Sequence, residues 1–206
     1  MSHRLMEWLQ LGTRLVLVQS VMVALTVLGL GVLGAAPAAT AAARVVGPIR
    51  RDEAIPVVTT MWRTWRSTFW SANLACAPAG ALAVAAAGNL VLLTTGGAGV
   101  PAPAGTLLVS LAALIGLLSL VAWLIAAVLG AEEGSSPGQV LRTAVLLPLA
   151  APGTAVSMLV TLTGVALIAV VVPVWGVLCG ASVAILAVEL LVSTRRRLLQ
   201  ERLVHA

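Results

Sequence analysis

From Val140 to Ser193 the chain carries only two charged side chains, Arg142 and Glu189. A membrane-crossing helix needs roughly 20 predominantly apolar residues, and this stretch is longer than two such spans. Three further apolar runs precede it. One extends from about Leu11 to Gly34, a second from Ala72 to Thr95, and a third from Gly105 to Leu129. A chain in which 60% of residues are hydrophobic and 9% are charged has too little polar side chain to cover a soluble globule, which uses about 25% charged residues. The mean hydropathy of +1.08 agrees. These features predict an all-α fold, a polytopic transmembrane helical bundle with about five membrane segments and one or two interfacial amphipathic helices. All of residues 1–206 read as one membrane domain.

Proline and charge divide the bundle. Pro148 and Pro152 break the chain after a short interfacial helix, and Pro173 breaks it again, which places the last two spans at 153–172 and 174–192. The segment 96–104 is a short uncharged turn holding Pro101 and Pro103, and 131–139 is a polar loop with Glu132 and Glu133. All 12 basic side chains are arginine. Arg44, Arg50, Arg51, Arg63 and Arg66 lie between the first two spans, and Arg195, Arg196, Arg197 and Arg202 lie in the basic tail 193–206. Arginine beside apolar spans marks the cytoplasmic side. The 44–71 segment and the C-terminus are therefore expected inside the bacterial cytoplasmic membrane, and the 96–104 turn outside. The same distribution argues against nucleic-acid binding, despite a net charge of +5. Five spans would put the N-terminus outside, against Arg4 and Arg14; a re-entrant first segment turning near Gly34–Pro37 would put it inside, and both readings stay open. The first apolar run is longer than a typical leader, and cleavage at 35–39 would send the five inter-span arginines outward, so it is read as retained rather than as a signal peptide.

Residues 53–71 predict an amphipathic helix on the inner surface. Ile55, Val58, Trp62, Trp65 and Phe69 recur at helical spacing, Asp52 is placed to cap the helix, and Glu53 adds negative charge at its start. Three of the six tryptophans, Trp62, Trp65 and Trp70, fall here with the only phenylalanine, where indole rings favour the headgroup layer. Trp62, Arg63, Trp65, Arg66, Phe69 and Trp70 are accordingly the candidate partner-docking residues.

Catalytic chemistry is not indicated. His3 and His205 sit at the two ends, and the pairs Asp52–Glu53 and Glu132–Glu133 read as solvated loop charges. Cys76 and Cys179 lie far apart in apolar runs and read as buried small hydrophobes rather than metal ligands. No metal, no cofactor and no catalytic residue is expected. Gly29, Gly31 and Gly34 spell the dinucleotide fingerprint G-x-G-x-x-G, but that motif works only between a strand and a helix N-terminus. Inside an apolar run the glycines instead allow helices close approach. The row Gly176, Gly180 and Ala184 is the candidate helix-packing surface, within the chain or in a homo-oligomer. Two intramembrane polar residues stand out. Glu189, expected near the inner surface, reads as snorkelling or paired with an arginine, Arg196 lying roughly on its face; Asn89 reads as needing a partner on a neighbouring helix.

One stretch carries a resemblance. Gly29-Leu-Gly-Val-Leu-Gly-Ala-Ala-Pro37-Ala-Ala-Thr40-Ala-Ala-Ala-Arg44 leads to Arg50-Arg-Asp-Glu-Ala-Ile55-Pro and then to Met61-Trp-Arg-Thr-Trp65-Arg-Ser-Thr-Phe69-Trp-Ser-Ala-Asn73. Over about residues 20–75 this resembles the YesL family of small bacterial membrane proteins: a glycine-rich first span, a Pro-Ala-Thr-x-Ala element, a basic turn, an aromatic helix and an Asn opening the next span. Pro37–Thr40 carries one extra alanine relative to that pattern. The resemblance implies a multi-span protein associated with sugar-binding-protein transport systems and brings no catalytic residues. The expected function is thus a non-catalytic accessory or assembly component linked to carbohydrate uptake, with the lipid bilayer and sugar ABC-transporter subunits as partners. The alternative is a small self-sufficient permease or membrane sensor, suggested by a loose echo between 53–129 and 140–192. The nearly apolar midplane of the spans speaks against it.

Overall fold

The computed structural model of the chain describes residues 2–95, 102–131, 136–150, 152–171 and 180–191. Every regular element among them is helical: α1 (Ser2–Leu28), α2 (Val32–Arg50), α3 (Val57–Thr94), α4 (Ala102–Gly130), α5 (Pro137–Ala150), α6 (Pro152–Val171) and α7 (Ala181–Leu191). Four helices, α1 to α4, are long and apolar enough to cross a membrane, and α6 and α7 hold shorter apolar stretches. By helix length and hydropathy this is a multi-pass membrane protein.

The apolar run 11–34, expected as one span, is broken. After Leu28 the chain reverses within three residues, and α2 returns antiparallel to α1. The break is a helix-terminating motif: Gly31 N–H donates to the Thr26 carbonyl at 2.8 Å, and Leu30 N–H to the Val27 carbonyl at 3.1 Å. Those two bonds define a Schellman ending, which needs a residue in the left-handed region just past the helix. Leu30 takes that place with φ 63°, followed by Gly31 with φ 73°. The flanking glycines are required by contact. A methyl group on Gly29 would run into the Gly34 Cα, and one on Gly34 into the Thr26 carbonyl oxygen. Hydropathy alone could not find this turn, because Leu30, Val32 and Leu33 keep it as apolar as the helices it joins.

The second helix ends the same way. Glu53 N–H reaches the Pro48 carbonyl and Asp52 N–H the Ile49 carbonyl, both at 3.1 Å, with Asp52 at φ 56°. Asp52 therefore closes α2 and does not cap the helix that follows. That helix starts at Val57 after Pro56 and runs without interruption to Thr94. The expected surface helix 53–71 is thus the first part of a 38-residue rod, about 57 Å long at 1.5 Å per residue.

The second helix is the hub of the molecule. Ala36, Ala38, Ala39, Ala41, Ala42, Ala43, Val45 and Val46 are all buried, enclosed by α1, α3, α4 and α7. Small side chains let helix backbones approach closely. Thr40 turns its hydroxyl back to the Ala36 carbonyl at 3.0 Å and faces Gly130 of α4. From α3 the core receives Val57, Met61, Ala72, Ala75, Cys76 and Ala79. This face is rotated from the expected one, since Val58 and Trp62 point outward. A long hairpin of α3 and α4 extends beyond the α1–α2 turn, with Cys76 Sγ 3.9 Å from the Trp123 carbonyl oxygen.

Two substitutions separate the steric and conformational demands of the first turn. Gly34→Ala places a methyl against backbone that cannot yield, so it should destabilise by about 2 kcal/mol or more. Leu30→Gly removes the left-handed penalty on an L residue and should stabilise the turn by about 1 kcal/mol. Thermal unfolding in detergent micelles measures both.

Candidate functional site

Where α1, α2 and α3 meet, the glycine turn, the proline of α2 and the aromatic residues of α3 form one unit. Pro37 lies inside α2 and has no N–H, so the carbonyl four residues back, on Leu33, lacks its helical donor. Asn73 supplies one from α3: its Nδ2 donates to the Leu33 oxygen at 2.9 Å and to the Phe69 oxygen of its own helix at 2.8 Å. A missing main-chain donor in one helix is replaced by a side chain from the next. Trp65 lies over the turn itself, where a methyl on Gly29 would come within 3.3 Å of its Cζ2.

The aromatic rings form a ladder along α3. Trp62 and Trp65 stack with centroids 5.5 Å apart, Trp65 and Phe69 meet edge to face at 5.1 Å, and Phe69 and Trp70 do so at 5.6 Å. Such pairs contribute about 0.5–1.5 kcal/mol beyond area burial. Their exposure divides the candidate docking residues in two. Trp65 and Phe69 are half-buried against the neighbouring helices, whereas Trp62, Arg63, Arg66 and Trp70 face outward, Trp70 at 74% exposure. The buried Trp65 Nε1 has no hydrogen-bond partner among the described residues, and Arg63 and Arg66 have no ion-pair partner there.

Charge collects at the other end of the α1–α2 hairpin. Arg14 Nη1 contacts Asp52 Oδ1 at 2.8 Å, which fixes the middle of α1 beside the end of α2. Arg51 Nε donates to Glu53 Oε1 at 2.6 Å. That hydrogen bond, reinforced by the attraction of the Glu53 carboxylate, raises the Arg51 pKa further above its ordinary value. Arg44 Nη1 donates to the Ala131 carbonyl at 2.5 Å, tying the end of α4 to α2. A groove of about 550 Å³ opens beside this cluster, lined among others by Arg14, Leu17, Ile49, Glu53 and Val58. A second, almost wholly apolar groove of about 370 Å³ lies between α3, α4 and α5, with Pro78, Leu82, Leu118 and Val145 among its walls.

The intramembrane polar residues behave differently from expectation. Glu189 meets α2: Oε2 lies 3.7 Å from Arg50 Nε, too long for a hydrogen bond, and the carboxylate packs over Gly47, which has no side chain to keep the acid away. Arg195, Arg196, Arg197 and Arg202 lie outside the described residues. Asn89 on α3 is exposed and has no hydrogen-bond partner among the described residues. Gln19, which the sequence did not single out, is the buried polar group with an interhelical role: its Oε1 accepts from the Ser182 N–H of α7 at 3.0 Å. In the packing row, Ala184 is buried beside Ile185 and Val188, a methyl on Gly180 would meet nothing within 4 Å, and Gly176 lies outside the described residues, as does Cys179. Cys76 is buried. Among the described residues no three His, Cys, Asp or Glu side chains come together in a way that could hold a metal ion.

The pairing of the glycine turn with the aromatic helix lies within the one part of the chain that is similar to a known family. Residues 15–90 match the family described as "Protein of unknown function, DUF624". The match runs from α1 through the turn and α2 to Leu90 in α3, so it takes in Pro37, the aromatic ladder and Asn73, and begins one residue after Arg14. No curated protein and no solved structure matches the chain.

A double-mutant cycle tests the central contact of the DUF624 stretch. Asn73→Ala should cost about 1 kcal/mol in the native background. It should cost measurably less in a Pro37→Ala background, where the restored main-chain N–H of residue 37 serves the Leu33 carbonyl. Denaturation of the four proteins in mixed micelles gives the coupling energy.

Proposed function

We propose that this protein is a non-catalytic accessory or assembly component of a carbohydrate-uptake system in the bacterial cytoplasmic membrane, with α2's Arg50 end, the start of α3 and the C-terminus on the cytoplasmic side. The observation that carries this reading is the outward face of α3: Trp62, Arg63, Arg66 and Trp70 are exposed together on a helix anchored from behind by Trp65, Phe69 and Asn73. A rigid helix presenting tryptophan and arginine is suited to protein recognition, since those two residue types dominate the energetics of binding interfaces. The arginines favour an acidic partner surface close to the bilayer, and the resemblance to the YesL family suggests that this partner belongs to a sugar ABC transporter. Orientation rests on the arginine distribution; the antiparallel α1–α2 pair also brings Arg14 to the Arg50 side, which removes the objection to a cytoplasmic N-terminal end.

The spans support a binding role better than a permease. Sugar hydroxyls need hydrogen-bonding partners near the midplane, and side-chain hydroxyls along the apolar helices turn back to their own backbone. Thr94 returns to the Leu90 carbonyl, Ser110 to that of Thr106 and Thr161 to that of Ser157.

Crosslinking in native membranes followed by tagged purification is the test. Wild type should bring down sugar-transporter subunits, and the Trp62→Ala, Arg66→Ala double variant should recover them at least tenfold less while inserting at the same level. Both residues are exposed, so their loss leaves the core intact. Undiminished recovery would remove the docking role from this face; recovery of the chain alone would favour the permease or sensor.

A further inference from the structure

The third helix is too long for a bilayer. Its 38 residues rise about 57 Å, whereas the hydrocarbon core is roughly 30 Å thick. Only about half of α3 fits, and the partner contacts fix what lies beside each half. Asn73 bonds to Leu33 at the α1–α2 turn, and α3 begins near the Arg14–Asp52 end, where Val57 and Arg14 line the same groove. The α1–α2 hairpin therefore lies alongside residues 57–73, and the rest of α3 extends past the tip with only α4 and α5 for company.

The two halves differ in charge. From Ser67 to Ala131 the chain has no charged residue. In that stretch Leu74, Leu82, Val84, Val91 and Leu92 of α3 and Leu107, Leu111 and Leu114 of α4 are exposed. A bilayer aligned with the hairpin would leave most of these side chains in water and immerse the exposed Arg63 and Arg66 in hydrocarbon. A bilayer aligned with residues 74–94, about 31 Å of helix, avoids both. It also leaves the exposed Trp70 one helical turn outside the boundary at Leu74, where indole rings belong.

The hairpin has a matching gradient. Its far half exposes Gln10 and Thr13 beside Met6 and Leu9, Ser20 is exposed midway, and its tip exposes the apolar Val27, Leu28, Leu30, Val32 and Leu33. Leu30 is 84% exposed in a left-handed conformation that glycine adopts at no cost.

We propose that the hydrocarbon core of the bilayer embraces α3 only from Leu74 onward together with the facing part of α4, and that the α1–α2 hairpin stands on the inner face. Its Leu30 tip is lodged in the inner leaflet. Two of the four apolar helices are then not spans but a membrane-seated platform, and Trp62 and Arg63 stand just beyond the headgroups. This goes beyond the accessory function and does not depend on it, because it is tested without any partner.

Single cysteines in a Cys76→Ala, Cys179→Ala background report the register. In inverted vesicles a membrane-impermeant maleimide should label Ser20→Cys and Thr59→Cys, and should label Leu82→Cys and Leu111→Cys only after detergent is added. Protection of Ser20→Cys equal to that of Leu82→Cys would overturn the placement of the hairpin, and labelling only from the outer face would overturn its side. A spin label on Leu30→Cys should collide more with oxygen than with a polar relaxing agent. The reverse ratio would overturn the insertion of the tip. Ser20, Thr59 and Leu30 are all exposed, so these replacements leave the packing unchanged, and none of the outcomes bears on whether a transporter copurifies.

Discussion

A carbonyl without a donor organises this protein. Pro37 deprives Leu33 of its helical hydrogen bond, and the Asn73 amide, reaching across from α3, makes good the loss. In an apolar setting an unmatched main-chain oxygen is costly, so the two helices are locked in register at the point where α1 turns into α2. The other contacts of the region follow from that register. Trp65 settles over Gly29, Val57 and Met61 enter the alanine face of α2, and Arg14 reaches Asp52 at the opposite end.

Much of this was legible in the sequence, for identifiable reasons. Long charge-free runs define helices because hydrocarbon leaves the backbone no alternative, so α4 and α6 stand close to their expected bounds. The aromatic cluster was visible in composition. The reversal at Leu30 was legible only as an alternative, a re-entrant first segment turning near Gly34–Pro37, and the structure sets the turn a few residues earlier. It is built from apolar residues, and its signal, glycines at 29, 31 and 34, also fits close helix packing. The continuity of α3 was obscured by polarity, since Arg63, Thr64, Arg66 and Ser67 suggested a separate surface helix. The unbroken helix from Val57 to Thr94 joins the polar and apolar halves in one rod.

The candidate site divides along the same line. Helical spacing grouped Trp62, Trp65 and Phe69 on one face, but spacing could not tell which of them would be pinned by neighbours. Burial separates an anchoring set, Trp65, Phe69 and Asn73, from a presenting set, Trp62, Arg63, Arg66 and Trp70. Asn89 and Gln19 make the complementary point. The first looked as though it needed a partner and is exposed, while the second drew no notice and joins α1 to α7, because the need for a partner depends on the depth and azimuth of a residue rather than on its type.

The alanine core of α2 has a thermodynamic consequence of its own. Burying a long side chain costs up to about 2 kcal/mol of rotamer freedom, whereas alanine loses none. The central helix of this bundle therefore becomes ordered almost entirely at the expense of its backbone, and the attraction gained from close approach goes nearly undiminished into cohesion. Its small side chains bring the neighbouring backbones close, so the aromatic helix is held against it at short range.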